Sequence, residues 1–257
     1  MALLAATPVS AAHPAGDADP AVITNWNRVA AQIVPPNPAA FLNYAFVHLA
    51  MYNAVVGITG EYELYQWDLY GPSKASPEAA AAVAAHRILM ANFGAANPAV
   101  AATLDGELAA SLDAVSDGLR KNQGIKYGLR AADRILELRT GDGRFAAVTI
   151  PTADAAGEWS ATSAAGFAVP WLGGVKPLVL DSLSRFDPGA PPAIGTDLYR
   201  QELAEVREYG AIDSTARSEE QTTLANYFAD LPFRPMEAGL RDLAGRHALD
   251  ISDSARL

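Results

Sequence analysis

The sequence predicts an all-α protein, and three observations carry that prediction. Apolar residues recur at three- and four-residue spacing in one segment after another. Helix-start and helix-stop residues bracket those segments, and nowhere does a run alternate apolar and polar residues as a half-buried strand would. No fixed-period repeat of the kind that marks a solenoid is present. With 257 residues, half of them hydrophobic, the chain can bury one sizeable core or two small ones.

The elements follow in order. Met1 to Ala12 is an apolar stretch ending in small residues, like the last part of a secretory signal peptide but without a basic n-region. It reads either as an export signal whose start codon lies upstream, giving a secreted or periplasmic protein, or as an Ala-rich terminus of a cytoplasmic one. Residues 1–20 are therefore set apart from the fold. Val29 to Gly60 carries no charged side chain, and Ala39–Ile58 is long enough, at about 1.5 Å per residue, to approach the thickness of a bilayer core. Asn43, His48 and Asn53 interrupt it, three prolines stand at its head, and no Lys or Arg flanks it. Those features predict the central buried helix of a bundle and no membrane span.

Ser76-Pro77-Glu78 supplies an N-cap, a first-turn proline and an early carboxylate, with Gly94 placed for a left-handed C-cap. Asn97-Pro98 opens the next helix, with Ala101, Leu104, Leu108, Leu112 and Val115 on one face. In the helix after that, Gly124, Gly128, Ala131, Ile135 and Leu138 form a stripe whose small residues admit a second backbone. It stops at Thr140-Gly141-Asp142-Gly143, so residues 21–140 are expected to form an N-terminal helical bundle. Residues 141–195 are rich in Gly, Pro, Ser and Ala, and are expected to wrap the bundle with Trp159, Phe167, Trp171 and Phe186 as anchors. Residues 196–257 are expected to be further helices, at Asp197–Tyr209, Glu219–Asp230 and about Met236–Leu249. Ser218 and Gln221 stand in capping-box spacing before the second.

Charge and motif content exclude several functions. A net charge of −10 argues against nucleic acid and anionic membrane as partners. Zero cysteines remove disulfides, thiolate metal sites and a cysteine nucleophile. Gly141-Asp142-Gly143 with Ala146 fits the loose dinucleotide pattern but follows a helix where that motif needs a strand. There is no Walker A triplet, no G-x-S-x-G and no Glu-x-x-His pair for a di-iron bundle. His48 and His86 are single histidines on apolar helices, read as satisfied core imidazoles rather than as ligand or base. Tyr44 and Tyr52, on one stripe with His48, are its expected neighbours. Glu202, Glu205, Glu208, Glu219 and Glu220 read as solvated helix surface, with Arg207 and Arg217 as their ion-pair partners.

Taken in order, several short texts resemble bacterial vanadium-dependent haloperoxidases and PAP2 (phosphatidic acid phosphatase type 2)-related proteins. They are Trp26-Asn27, His48-Leu49-Ala50-Met51-Tyr52-Asn53-Ala54-Val55, Ser76-Pro77-Glu78-Ala79-Ala80, Ala85-His86-Arg87-Ile88-Leu89, Gly157-Glu158-Trp159, Phe186-Asp187-Pro188-Gly189 and Arg217-Ser218-Glu219-Glu220-Gln221-Thr222. The resemblance runs from about residue 22 to the end. It implies two stacked helical bundles, with the vanadate or phosphate pocket in the second, built from a Lys, an Arg-Pro, a Pro-Ser-Gly-His and a later Arg and His. Cationic groups and amides there neutralise oxyanion charge. This chain has one Arg-Pro, Arg234-Pro235, with no Lys shortly before it, and no Ser-Gly-His.

The resemblance therefore implies the non-catalytic N-terminal half of such an enzyme. No catalytic, cofactor-binding or metal-binding residue carries over, and the chain by itself is expected to lack turnover. Vanadate belongs to the full-length family alone. The expected partners are a second copy or the missing C-terminal bundle, either of which would cover a bare apolar helix face. The alternatives are an exported helical interaction module with an exposed apolar face, and a small-molecule pocket beneath Trp159 and Trp171.

Overall fold

The computed structural model describes residues 18–150, 157–161, 166–229 and 233–257, and the export signal expected at Met1 to Ala12 lies outside them. Every regular element among the described residues is helical. The chain divides into two units, Met1–Thr140 with Phe233–Leu257, and Gly141–Pro232. The run of residues 196–257, read from sequence as one group of further helices, is divided between them.

In the first unit, α1 (Ala21–Ile33) starts where the Asp19 carboxylate accepts the Ala21 N–H, and it ends before Pro35-Pro36. It buries Ile23, Trp26, Val29 and Ala30. The next helix, α2 (Ala40–Thr59), is buried on nearly all sides and stops at Gly60, whose φ of 72° is the left-handed cap that glycine takes without strain. It is the one described helix long and apolar enough to cross a membrane, and most of it is buried inside the bundle. Its polar interruptions are satisfied. The buried Asn53 amide donates to the Tyr65 carbonyl at 3.0 Å and accepts the Tyr65 N–H at 2.8 Å, tying down the irregular chain that follows the helix.

Ser76 caps α3 (Pro77–Leu89) by accepting the Ala79 N–H, as its position before Pro77 predicts. Gly94 does not take the left-handed C-cap expected of it. The helix instead widens into a π turn over Met90–Gly94, and a Cβ on Gly94 would lie 2.3 Å from the Met90 sulfur. Gly94 is small to make room. Asn97 caps α4 (Pro98–Asp113) on the Ala99 and Val100 amides, and Leu104 is the residue of this helix that is fully buried.

The largest interface between helices joins α3 to α5 (Leu119–Leu138), followed by α2 with α3 and α2 with α5. Its character is set by the absence of side chains. Ala79 to Ala82, Ala84 and Ala85 have no exposed surface, and a Cβ on Gly124 or Gly128 would come within 2.3 Å of the Ser76 or Ala80 carbonyl oxygen. The small stripe of α5 thus does what its sequence predicts. Tyr127, between the two glycines, donates to the Leu69 carbonyl at 2.6 Å, stacks on Trp67 at 5.4 Å and fills the space left by Gly57 of α2. Burial pushes its phenol above the ordinary tyrosine range.

The first unit is completed by chain that returns from the far end of the sequence. α8 (Phe233–Arg246) packs on α1, and α9 (Ile251–Arg256), capped by Asp250, packs on α2 and α1. The buried Ser252 hydroxyl donates to Thr59 at 3.0 Å, and the Tyr62 hydroxyl donates to Asp253.

In the second unit, two 3-10 turns (Pro170–Gly174 and Leu183–Phe186) precede α6 (Asp197–Gly210) and α7 (Glu219–Ala229). Ser218 and Gln221 form the expected reciprocal capping box, at 2.9 and 3.1 Å. Gly143, at φ 93°, lies against the Gly174 carbonyl, and the Asp142 carbonyl accepts the Lys176 N–H at 2.8 Å. Of the four aromatics expected as anchors, none is fully buried. Trp159 stacks on Phe167 at 3.6 Å, Trp171 tilts against Phe145 at 5.1 Å, and Phe186 is exposed.

One paired measurement checks the Gly/Ala interface. Gly128→Ala should lower stability by about 1–3 kcal/mol through overpacking, although alanine is the better helix former. Gly106→Ala, in open space on α4, should raise it by about 0.5–1 kcal/mol. Thermal unfolding followed by circular dichroism reads both, and a stabilised Gly128→Ala would refute the close backbone approach.

Candidate functional site

The most concentrated polar chemistry of the first unit lies where α1, α2 and α8 meet. Helical spacing sets it up: Tyr44 and His48 lie one turn apart on α2, and Glu237 and Arg241 one turn apart on α8. Asn27 projects from α1 between them. Its amide donates to His48 Nε2 at 2.8 Å and to the Glu237 carboxylate, while its carbonyl oxygen accepts from the Arg241 guanidinium. Both protons of the Asn27 amide and its oxygen are thus engaged, in a bridge spanning more than two hundred residues of sequence.

This geometry defines the protonation state of the histidine. An amide nitrogen can only donate, so His48 Nε2 accepts and its own proton sits on Nδ1. Burial holds the imidazole below its ordinary 6.5, against the pull of Glu237, whose carboxylate is 4.0 Å from Nε2. Burial and then the Glu237 charge push the Tyr44 phenol above its ordinary range, with Arg234 and Arg241 opposing. The arrangement keeps a neutral imidazole, a carboxylate and a guanidinium in register.

His48 therefore has a polar partner, as a satisfied imidazole must, but not the tyrosine neighbour expected for it. Asn27 and Glu237 take that role, and Tyr52 donates instead to the Glu63 carbonyl at 2.7 Å. His86 pairs through Nε2 with Asp105 of α4 at 2.9 Å, and Trp26 meets its ring edge-on at 6.3 Å. The Trp26 indole N–H donates to Ser111 at 3.1 Å. Arg234-Pro235 opens α8, with Arg234 exposed at the margin of the Asn27 cluster.

Sequence reading missed Glu237 and Arg241. Their four-residue spacing on an amphipathic helix was visible, but nothing local indicates that this helix returns to α1.

A cleft of about 580 Å³ opens at one end of the first unit, between the starts of α1, α3 and α5 and the ends of α2 and α4. Asp19, Glu78, Glu107 and Arg120 give it its charge, and each is already engaged in the fold. Asp19 accepts the Ala21 N–H, Ser76 caps α3, Glu78 accepts from Ser76, Glu107 pairs with Arg28, and Arg120 donates to the Lys74 carbonyl. Among the described residues no group of three or more His, Asp or Glu side chains is placed to hold a metal ion.

In the second unit the acidic side chains of α6 and α7 are exposed, as expected of a solvated face, but the arginines assigned to them do something else. Arg217 donates to the Tyr209, Ala211 and Ile212 carbonyls, closing the C-terminal end of α6, and Arg207 makes no ion pair among the described residues. The helix end, with its unsatisfied carbonyls, competes better for the guanidinium than a solvated surface carboxylate.

Compared with models of protein families, with curated proteins and with solved structures, the chain matches none.

Two expectations follow for the α1/α2/α8 cluster. Asn27→Leu strands a buried carboxylate and a guanidinium, and should cost about 2–4 kcal/mol in denaturant unfolding. The second concerns pH. The folded state holds His48 below 6.5 while the unfolded chain titrates near it, so the folded state binds fewer protons below that value. Stability should be complete above about pH 6.5 and fall as the pH drops below that value, and His48→Gln should flatten that fall. An unchanged slope in the variant would remove His48 from the account.

Proposed function

We propose that this chain is a non-catalytic helical interaction module, related to the N-terminal half of vanadium-dependent haloperoxidases and PAP2-type phosphatases. One observation carries the interaction reading: within the second unit, neither α6 nor α7 buries a single residue. Leu198, Val206, Ile212, Leu224, Tyr227 and Phe228 are each more than half exposed, with Ile212 at 99%. Burying a side chain of this size is worth about 1.5–3 kcal/mol, so folded helices that leave all of them in water have a strong incentive to acquire a cover.

The family relationship is supported by the order of the short texts that resemble it and by an all-helical first unit. Lack of catalysis is supported by the sequence, which has neither the Ser-Gly-His nor the Lys ahead of Arg-Pro that an oxyanion pocket of that family requires. The polar cluster of the first unit offers no substitute. Its carboxylate would oppose an oxyanion, its Arg241 guanidinium already donates to Asn27, and Asn27 itself has its amide and carbonyl engaged on protein partners.

Purified chain with added vanadate, peroxide and bromide should show no halogenation above a boiled control, and no phosphatase activity on an aryl phosphate. It should bind an apolar-surface dye such as bis-ANS, or run above its 27.0 kDa mass in light scattering. Turnover would overturn the non-catalytic reading. A monomer that binds no dye would overturn the interaction reading.

A further inference from the structure

The exposed faces of α6 and α7 are not merely apolar, and their charge says what covers them. On α6 the residues Leu198, Glu202, Glu205, Val206 and Tyr209 fall at i, i+4, i+7, i+8 and i+11, one continuous stripe of a helix. All five are exposed. On α7, Glu220, Leu224, Tyr227 and Phe228 repeat the pattern at i, i+4, i+7 and i+8, again all exposed. Carboxylates therefore sit inside the apolar stripes, where a helix face packed on an apolar core would carry none.

These carboxylates are uncommitted. Glu202, Glu205 and Glu220 have no ion-pair or hydrogen-bond partner among the described residues. Of the three arginines nearby, Arg200 pairs with Asp197 and Arg217 caps the end of α6. Between residues 197 and 220 seven carboxylates stand against three arginines, with no lysine.

Resting on the interaction-module reading, we infer that the α6 stripe docks a cationic amphipathic helix, one whose apolar stripe is interleaved with Lys or Arg. Such a helix buries Leu198, Val206 and Tyr209 and brings its cations onto Glu202 and Glu205, where exclusion of water strengthens the pairing. The stripe spans roughly 16 Å, so about three turns of the partner engage it. A second copy laid antiparallel, stripe on stripe, is disfavoured, because a two-fold axis at the middle of the stripe brings Glu202 of each copy against Glu205 of the other. An anionic lipid surface is repelled by the same charges.

The test uses the full chain and two fluorescent synthetic helices of about 18 residues with the same Leu stripe, one interleaved with Lys and one with Glu, followed by anisotropy. The Lys peptide should bind, the Glu peptide should not, and binding should weaken steeply between about 50 and 500 mM salt. The double variant Glu202→Lys/Glu205→Lys, shown by circular dichroism to remain folded, should lose the Lys peptide by about tenfold and gain the Glu peptide. A merely structural role for these exposed residues would not reverse the preference.

Equal binding of both peptides, or self-association that excludes them, overturns the choice of a cationic partner and leaves the interaction module standing. No binding of either peptide by a chain that still binds bis-ANS overturns this inference alone. No peptide binding, no dye binding and a monomer overturn both.

Discussion

Everything in the first unit is arranged around the contact of one backbone with another. Where α5 crosses α3, two glycines meet the Ser76 and Ala80 carbonyls, and a run of alanines supplies the opposing surface. Close approach of this kind gains many small dispersion contacts and costs little side-chain entropy, but tolerates no added volume. It places α2 against both helices, and the large side chains of the core, Trp26, Phe46, Met51, Ile88 and Ile135, fill the space around that tight centre. Tyr127 shows the same logic at higher resolution, since its ring occupies volume that Gly57 and Gly71 leave empty.

The apolar centre holds helices that are close in sequence, whereas the polar cluster holds one that is not. Asn27 is the hinge pin, since three groups from two other helices meet on its amide. A network of this kind adds little net stability when complete, yet its disruption leaves charges buried without partners. Its effect is to specify where α8 docks. Ser252 on Thr59 and Tyr62 on Asp253 do the same for α9, whose Ile251 is fully buried, so hydrogen bonds and apolar burial together locate the returning chain.

The second unit inverts these proportions. Its helices start where their sequences say, with Thr196 and the Ser218–Gln221 box capping their first turns and Arg217 closing the end of α6. They nonetheless bury nothing. Local propensity and capping suffice to draw a helix, but its stability comes chiefly from a packed apolar face, and that face is open here. This contrast, helices completed by an apolar core in one unit and left for an external surface in the other, underlies the functional reading.

Much of this was legible in the sequence. Helix identity and several helix ends follow from Ser76, Asn97 and the Thr140-Gly141-Asp142-Gly143 stop, because capping is a contest among neighbouring atoms that a short window contains. The burial of α2 and the close approach of α5 were equally readable, since periodicity and residue size are local properties. Gly94 was misread because a π turn depends on what Met90 and Leu104 leave room for. The partners of His48, the task of Arg217, and the division of the last sixty residues between two units were decided only in three dimensions. A side chain's hydrogen-bond partner is set by which distant helix arrives beside it, and no spacing along the chain encodes that arrival.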